Sequence, residues 1–133
     1  MLFLDTSALV KRYVEEEGTK LVLQRMAEDP EWVAASVART EAEITLCRLG
    51  FESGGSADAW RLLREDWARC HVVPLDPACL EQASALGCAH QLRTLDALHL
   101  AAAQRLPQPF VLLTFDRRQA DAARAMGFVV EGA

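Results

Sequence analysis

Residues 1–7 constrain this chain more than any other stretch. Leu2, Phe3 and Leu4 form an apolar run with no polar gap, and the run stops at Asp5. Such a run reads as a strand buried on both faces, as in a parallel sheet covered by helices. Thr6 and Ser7 then lead into a helical pattern of Ala8, Leu9, Val10, Tyr13 and Val14. A carboxylate at the carboxyl end of a buried strand sits where open α/β sheets bind their ligands. Asp is equally a good helix cap, because its side chain satisfies free N–H groups of the first turn. Other acids at the same edge would favour the first role over the second.

The rest of the chain repeats the strand-then-helix pattern. An acidic break at Glu15 to Gly18 precedes an amphipathic helix ending near Asp29. Trp32 to Ala35 reads as a second strand, with Ser36 as the N-cap of a helix from Val37 to about Phe51. Residues 52–56, with two glycines and two serines, read as a turn. Trp60, Leu63 and Trp67 mark one face of the next helix. Val72, Val73 and Leu75 give a third strand. Asp76 followed by Pro77 is a strong helix start, and Gly87 is placed to end that helix. Thr94 opens a helix rich in leucine and alanine that stops before Pro107. Phe110 to Leu113 form a fourth strand terminated by Asp116, and a helix from Arg117 to Met126 ends at Gly127. Phe128 to Val130 close the pattern as a last short strand. The expected fold is α/β, a three-layer α/β/α arrangement around a mostly parallel sheet of 4–5 strands. With no linker, repeat or low-complexity tract, residues 1–133 are expected to form one domain.

Composition narrows the function classes. The chain is 51% hydrophobic and 25% charged, too apolar for disorder. No apolar run approaches the ~20 residues needed to cross a bilayer, and the amino terminus lacks the basic segment of a signal peptide. A cytoplasmic protein with no membrane contact is the expectation. Cys47, Cys70, Cys79 and Cys88 form no CxxC pair or zinc-like spacing and read as buried, reduced thiols. The net charge of −5 argues against a general nucleic-acid-binding surface.

Four acids stand out. Asp116 ends its strand as Asp5 does, and with Gln119 it fits a capping box. Asp96 lies one turn inside a helix whose neighbours, from Leu95 to Ala103, are nearly all apolar. A carboxylate buried there is costly unless paired, hydrogen-bonded or metal-bound. Glu41 and Glu43 share a helix but point in different directions. Glu41 lies beside Ile44 and Leu49, read as the apolar face, whereas Glu43 suits solvent or a pair with Arg39, so Glu41 is taken as the inward acid. Four close carboxylates raise one another's pKa values unless a cation neutralises them, and hard oxygen donors call for Mg2+ or Mn2+. Such a site can activate water and stabilise the leaving oxygen of a phosphodiester. Without these four acids the net charge of −5 becomes −1.

The segments LFLDTSALVKRY, SVARTEAE around Glu41, RTLDALHLAAA around Asp96 and LLTFDRR around Asp116 resemble the PIN domain family, and more narrowly its VapC-type toxins. The resemblance covers nearly the whole chain in the family's order, with the DxS and LDALHLA segments its most specific parts. It implies a metal-dependent endoribonuclease acting on structured RNA such as tRNA or rRNA, with Asp5, Glu41, Asp96 and Asp116 as the metal-binding acids. Thr6 or Ser7, and Thr114, would orient water or a ligand carboxylate. It further implies a homodimer silenced by a small antitoxin protein whose tail enters the active-site groove.

Three other groups invite a role. His99, three residues after Asp96, reads as a satisfied core histidine rather than a base or ligand. Arg93, Arg117 and Arg118 either contact RNA phosphates or pair with carboxylates. Trp60 and Trp67 fit a packing face better than a base-stacking one. A phosphoryl-acceptor enzyme built on Asp5 would need an adjacent acid and a late lysine, and no lysine follows Lys20. Two alternatives to a toxin stand beside it: a PIN nuclease of RNA processing or quality control, and a non-catalytic PIN scaffold that binds RNA or a partner.

Overall fold

A computed structural model of the chain describes residues 1–50 and 57–133. Among them, β1 (Leu2–Leu4), β2 (Trp32–Ala35), β3 (His71–Val73), β4 (Val111–Thr114) and β5 (Val129–Gly132) form one sheet. The strand order is β3-β2-β1-β4-β5, and all four pairings are parallel. The helices are α1 (Thr6–Val10), α2 (Thr19–Glu28), α3 (Val37–Arg48), α4 (Ala57–Arg69), α5 (Pro77–His90), α6 (Thr94–Ala103) and α7 (Arg117–Ala125).

The ungapped run in β1 is explained by its position at the centre. Phe3 faces a core with Val33, Leu86, Leu100, Leu112 and Ala123, under α5, α6 and α7. Leu2 and Leu4 face the opposite core with Leu9, Val22, Met26, Leu46 and Leu63, under α1 to α4. Alternate residues of a strand point to opposite faces, so a strand covered on both sides has no polar position to spare. Trp60 and Trp67 pack against the second core, as their helical spacing predicts. No helix among the described residues is long and apolar enough to cross a membrane.

Several local expectations differ from the structure. The first helix stops at Val10, and Lys11 to Tyr13 continue only as turns. Ser36 has helical backbone angles and makes no capping hydrogen bond with its side chain. Gly87 lies inside α5, facing Ala97 of α6, and the left-handed cap is Gln91 (φ 53°). Packing against α6 carries the helix past a residue whose intrinsic preference would end it. Asp76, by contrast, caps α5 as expected, accepting from the Cys79 N–H at 2.9 Å. Of the cysteines only Cys79 is fully buried, while Cys47 and Cys88 are exposed. The expected turn at residues 52–56, and Phe51 at the end of its helix, lie outside the described residues.

From β1 the chain winds outward to β2 and β3, then returns to place β4 and β5 on the other side of β1. The reversal puts a crevice between the carboxyl ends of β1 and β4. Open α/β sheets bind ligands at such a switch point.

Candidate active site

Asp5 follows β1 directly and is only 2% exposed. Its Oδ1 accepts from the Ala8 N–H (2.9 Å) and the Ser7 hydroxyl (2.7 Å), so the capping role is real. Its Oδ2 accepts from the Thr114 hydroxyl (2.5 Å) and the Gln119 side-chain amide (3.1 Å). Burial pushes the Asp5 carboxyl above its ordinary value, opposed by the charge of His99 and by these hydrogen bonds. The same hydroxyls anchor the chain after β4. Ser7 accepts from the Phe115 N–H at 2.8 Å, and Thr114 accepts from the Asp116 N–H at 3.1 Å. Gly132 of β5 backs Thr114; its φ is +104°, and a Cβ there would collide with the Thr114 carbonyl oxygen.

Asp116 caps α7, its Oδ1 accepting from the Gln119 N–H at 3.0 Å. The capping box is only half formed, because the Gln119 side chain turns inward to Asp5 instead of back to the Asp116 N–H. Asp96, in the first turn of α6, is 8% exposed. Burial pushes its carboxyl up, the Asp116 carboxylate adds to this, and Arg93 and His99 oppose it. Arg93 bridges the two acids: its Nε donates to Asp96 Oδ2 at 3.3 Å and its Nη2 to Asp116 Oδ2 at 3.1 Å.

Glu41 projects from α3 towards α1 and α6. Its Oε1 accepts from the Thr6 hydroxyl at 2.7 Å and lies 2.6 Å from His99 Nε2. Burial pushes Glu41 up, but the His99 and Thr6 hydrogen bonds and the His99 charge outweigh it, and the carboxyl falls below its ordinary value. Glu43 pairs with Arg39 at 2.8 Å, away from this cluster. Ile44 and Leu49 do not mark the inward face of α3, however. Ile44 and Leu49 are 46% and 54% exposed, and the buried face of α3 is Ala38, Ala42 and Leu46. His99 is buried, as a core histidine would be, yet it touches a site acid. Its position three residues after Asp96 was the available signal, since i and i+3 share a helix face.

These groups line one cavity of about 650 Å³. Asp5, Glu41, Asp96 and Asp116 all border it, with Thr6, Ser7, Arg93 and His99; Thr114 acts from behind, through Asp5. Lys11 and Phe115 stand on its wall, the Lys11 ammonium 4.6 Å from the ring centre. Arg118 lines a separate cavity with His90 and Asp121, and Arg117 borders neither. Of the three arginines, only Arg93 therefore reaches the acids. The carboxylates form an all-oxygen donor set suited to a hard divalent cation. The Arg93 guanidinium, a cation drawn between Asp96 and Asp116, shows that positive charge is favoured there. Among the described residues, no three His, Cys, Asp or Glu side chains already converge as a ligand shell.

The PIN domain family matches residues 2–125. Ribonuclease VapC46 of Mycobacterium tuberculosis (strain ATCC 25618 / H37Rv) is 35% identical over 130 residues, covering 97% of this chain and 95% of that one. Among solved structures, the Sarcin-Ricin loop cleaving toxin VapC20 of Mycobacterium tuberculosis superposes with a TM-score of 0.75 at 19% identity, over 97% of both chains. A toxin-antitoxin complex from Klebsiella pneumoniae gives a TM-score of 0.73 at 18% identity, over 100% of this chain and 98% of that one. At those identities the structural matches speak for the fold.

Proposed function

Since the chain belongs to the PIN domain family, with VapC ribonucleases among its relatives, we propose that it is an endoribonuclease toxin working on structured RNA in the cytoplasm. The observation that carries the reading is the meeting of Asp5, Glu41, Asp96 and Asp116 on one cavity at the switch point of the sheet. Mg2+ or Mn2+, when bound among these acids, supplies an activated water and charge stabilisation at the leaving oxygen of the phosphodiester.

The chain's own residues divide the remaining work. Asp96, Asp116 and Glu41 present carboxylate oxygens to the cavity and are the first candidates to hold the cation. Each Asp5 oxygen already accepts two hydrogen bonds. Asp5, whose longest hydrogen bond is the 3.1 Å one from Gln119, would be the fourth acid to hold the cation. Thr6 orients Glu41, while Ser7 and Thr114 orient Asp5. Arg93, with its side chain 69% exposed, swings from the acids to an RNA phosphate beside the scissile bond. Arg117 and Arg118, outside the cavity, would touch RNA only beyond the reacting nucleotides.

A small antitoxin protein whose tail enters this cavity, and a second copy of the chain, are the partners the reading calls for. It is supported by the toxin-antitoxin complex among the structural neighbours. The exposed apolar side chains Ile44, Leu49, Leu80 and Leu95 supply surface for such partners to cover.

The test is cleavage of total cellular RNA with Mg2+, Mn2+ or EDTA, comparing wild type with Asp96→Asn. Discrete fragments that need the metal and vanish in the variant support the reading. Equal fragments from the variant, or fragments that persist in EDTA, reject it.

A further inference from the structure

We propose that His99 is a positioning residue: its Nε2–H closes one oxygen of Glu41 and leaves the other as the working oxygen of that carboxylate. The inference rests on the nuclease reading above and adds a residue to its machinery.

Two donors converge on Glu41 Oε1, the Thr6 hydroxyl at 2.7 Å and His99 Nε2 at 2.6 Å, whereas no described residue donates to Oε2. Proton placement follows from these partners. A bare nitrogen lone pair 2.6 Å from a carboxylate oxygen is repulsive, so Nε2 carries a hydrogen. The Thr6 hydroxyl hydrogen is committed to the nearer Glu41, which makes its 3.2 Å approach to Nε2 a contact rather than a second bond.

The other side of the ring strengthens the argument. His99 is 2% exposed, and its Nδ1 has no hydrogen-bond partner among the described residues. Buried histidines that orient another group usually have the tautomer set by a partner on the far nitrogen. Here, among the described residues, the hydrogen bond to Glu41 holds the Nε2 hydrogen in place. That contact joins α6 to α3 across 58 residues of sequence, and Thr6 adds α1. A glutamate on a helix surface otherwise divides its time among rotamers, and fixing it costs entropy that these two bonds offset. Asp96 and His99 share one face of α6, so a single helix delivers an acid and the holder of another acid.

Glutamine and asparagine separate positioning from packing. The amide nitrogen of glutamine reaches about where Nε2 lies, and that of asparagine about where Nδ1 lies. His99→Asn should lower kcat on RNA about 10- to 100-fold with little change in KM, and weaken binding of Mn2+ alone, measured by calorimetry, by a similar factor. His99→Gln should recover most of both. If glutamine fails as badly as asparagine, or if both match wild type, the role is packing and the proposal falls.

Imidazole 15N shifts in EDTA give a readout independent of metal and RNA. His99, assigned by comparison with His99→Gln, should show a hydrogen on Nε2, and an Nε2 without one overturns the proposal. A wild type that binds no Mn2+ and cuts no RNA rejects the nuclease reading instead, and the 15N result still judges the contact between His99 and Glu41.

Discussion

The hydroxyl of Thr114 lies 2.5 Å from Oδ2 of Asp5, joining two residues 109 positions apart in sequence. The Thr114 hydroxyl oxygen in turn accepts the backbone N–H of Asp116. One small side chain thus ties the acid that ends β1 to the backbone of the acid that follows β4. Thr114→Val keeps the shape and removes both hydrogen bonds, leaving a partly buried N–H and a buried carboxylate oxygen short of a partner. It should cost about 2 kcal/mol in urea denaturation. Thr114→Ser should cost much less, and a valine variant as stable as the serine one would remove Thr114 from this role.

Asp96 is predicted to cost stability for the sake of function. Its folded-state pKa is raised by burial and by Asp116, so the folded protein holds that proton more tightly than the unfolded chain. Its contribution is therefore most favourable below the ordinary carboxylate value and is lost as pH rises through the raised one. In EDTA, Asp96→Asn should raise Tm at pH 7 by about 2–4 °C, a gain that shrinks towards pH 4, while RNA cleavage disappears. A lower Tm at pH 7, or a gain that grows on acidification, would contradict the assignment.

The turn after α1 is held by Asp66 of α4, which is 5% exposed. It accepts from Arg12 Nε at 2.7 Å, Arg12 Nη2 at 3.1 Å and the Tyr13 hydroxyl at 2.8 Å. Removing the carboxylate strands a partly buried guanidinium, so Asp66→Ala should cost about 3 kcal/mol by chemical denaturation. Tyr13→Phe should cost about 1 kcal/mol. Similar losses for the two would mean that the ion pair contributes little beyond one neutral hydrogen bond.

Thiol chemistry offers a probe away from the site. Burial, with a further push from Asp66, raises the Cys70 thiol to about 12, so little thiolate exists near neutrality. Iodoacetamide at pH 8 should therefore modify the exposed Cys88 well before Cys70. Mass spectrometry of the labelled peptides checks the order, and faster labelling of Cys70 would refute it.

The local features were the legible ones. Ungapped apolar runs marked β1 and β4, and the acids behind them were placed correctly because strand ends are local in sequence. Asp96 stood out because an acid inside an apolar helix is conspicuous. Long-range partners left no such trace. Nothing around Gln119 announces that its amide turns to Asp5, and the capping-box pattern pointed the other way. His99 read as core because burial and a site contact look alike in sequence when the partner, Glu41, lies 58 residues away. Gly87 and Ser36 failed for the opposite reason: their local preferences are genuine, and tertiary packing overrode them.

The strand order has a consequence for synthesis of the chain. Of the five described strands β1 is made before the others but stands in the middle of the sheet, and one flank stays open until β4 is made. Asp5 is translated 109 residues before Thr114 and 114 residues before Gln119, which complete its surroundings. A nascent chain short of Gln119 therefore carries an unassembled acidic cavity. The acids that face one another across the crevice between β1 and β4 come together only after β1, β2, β3 and β4 have all been made.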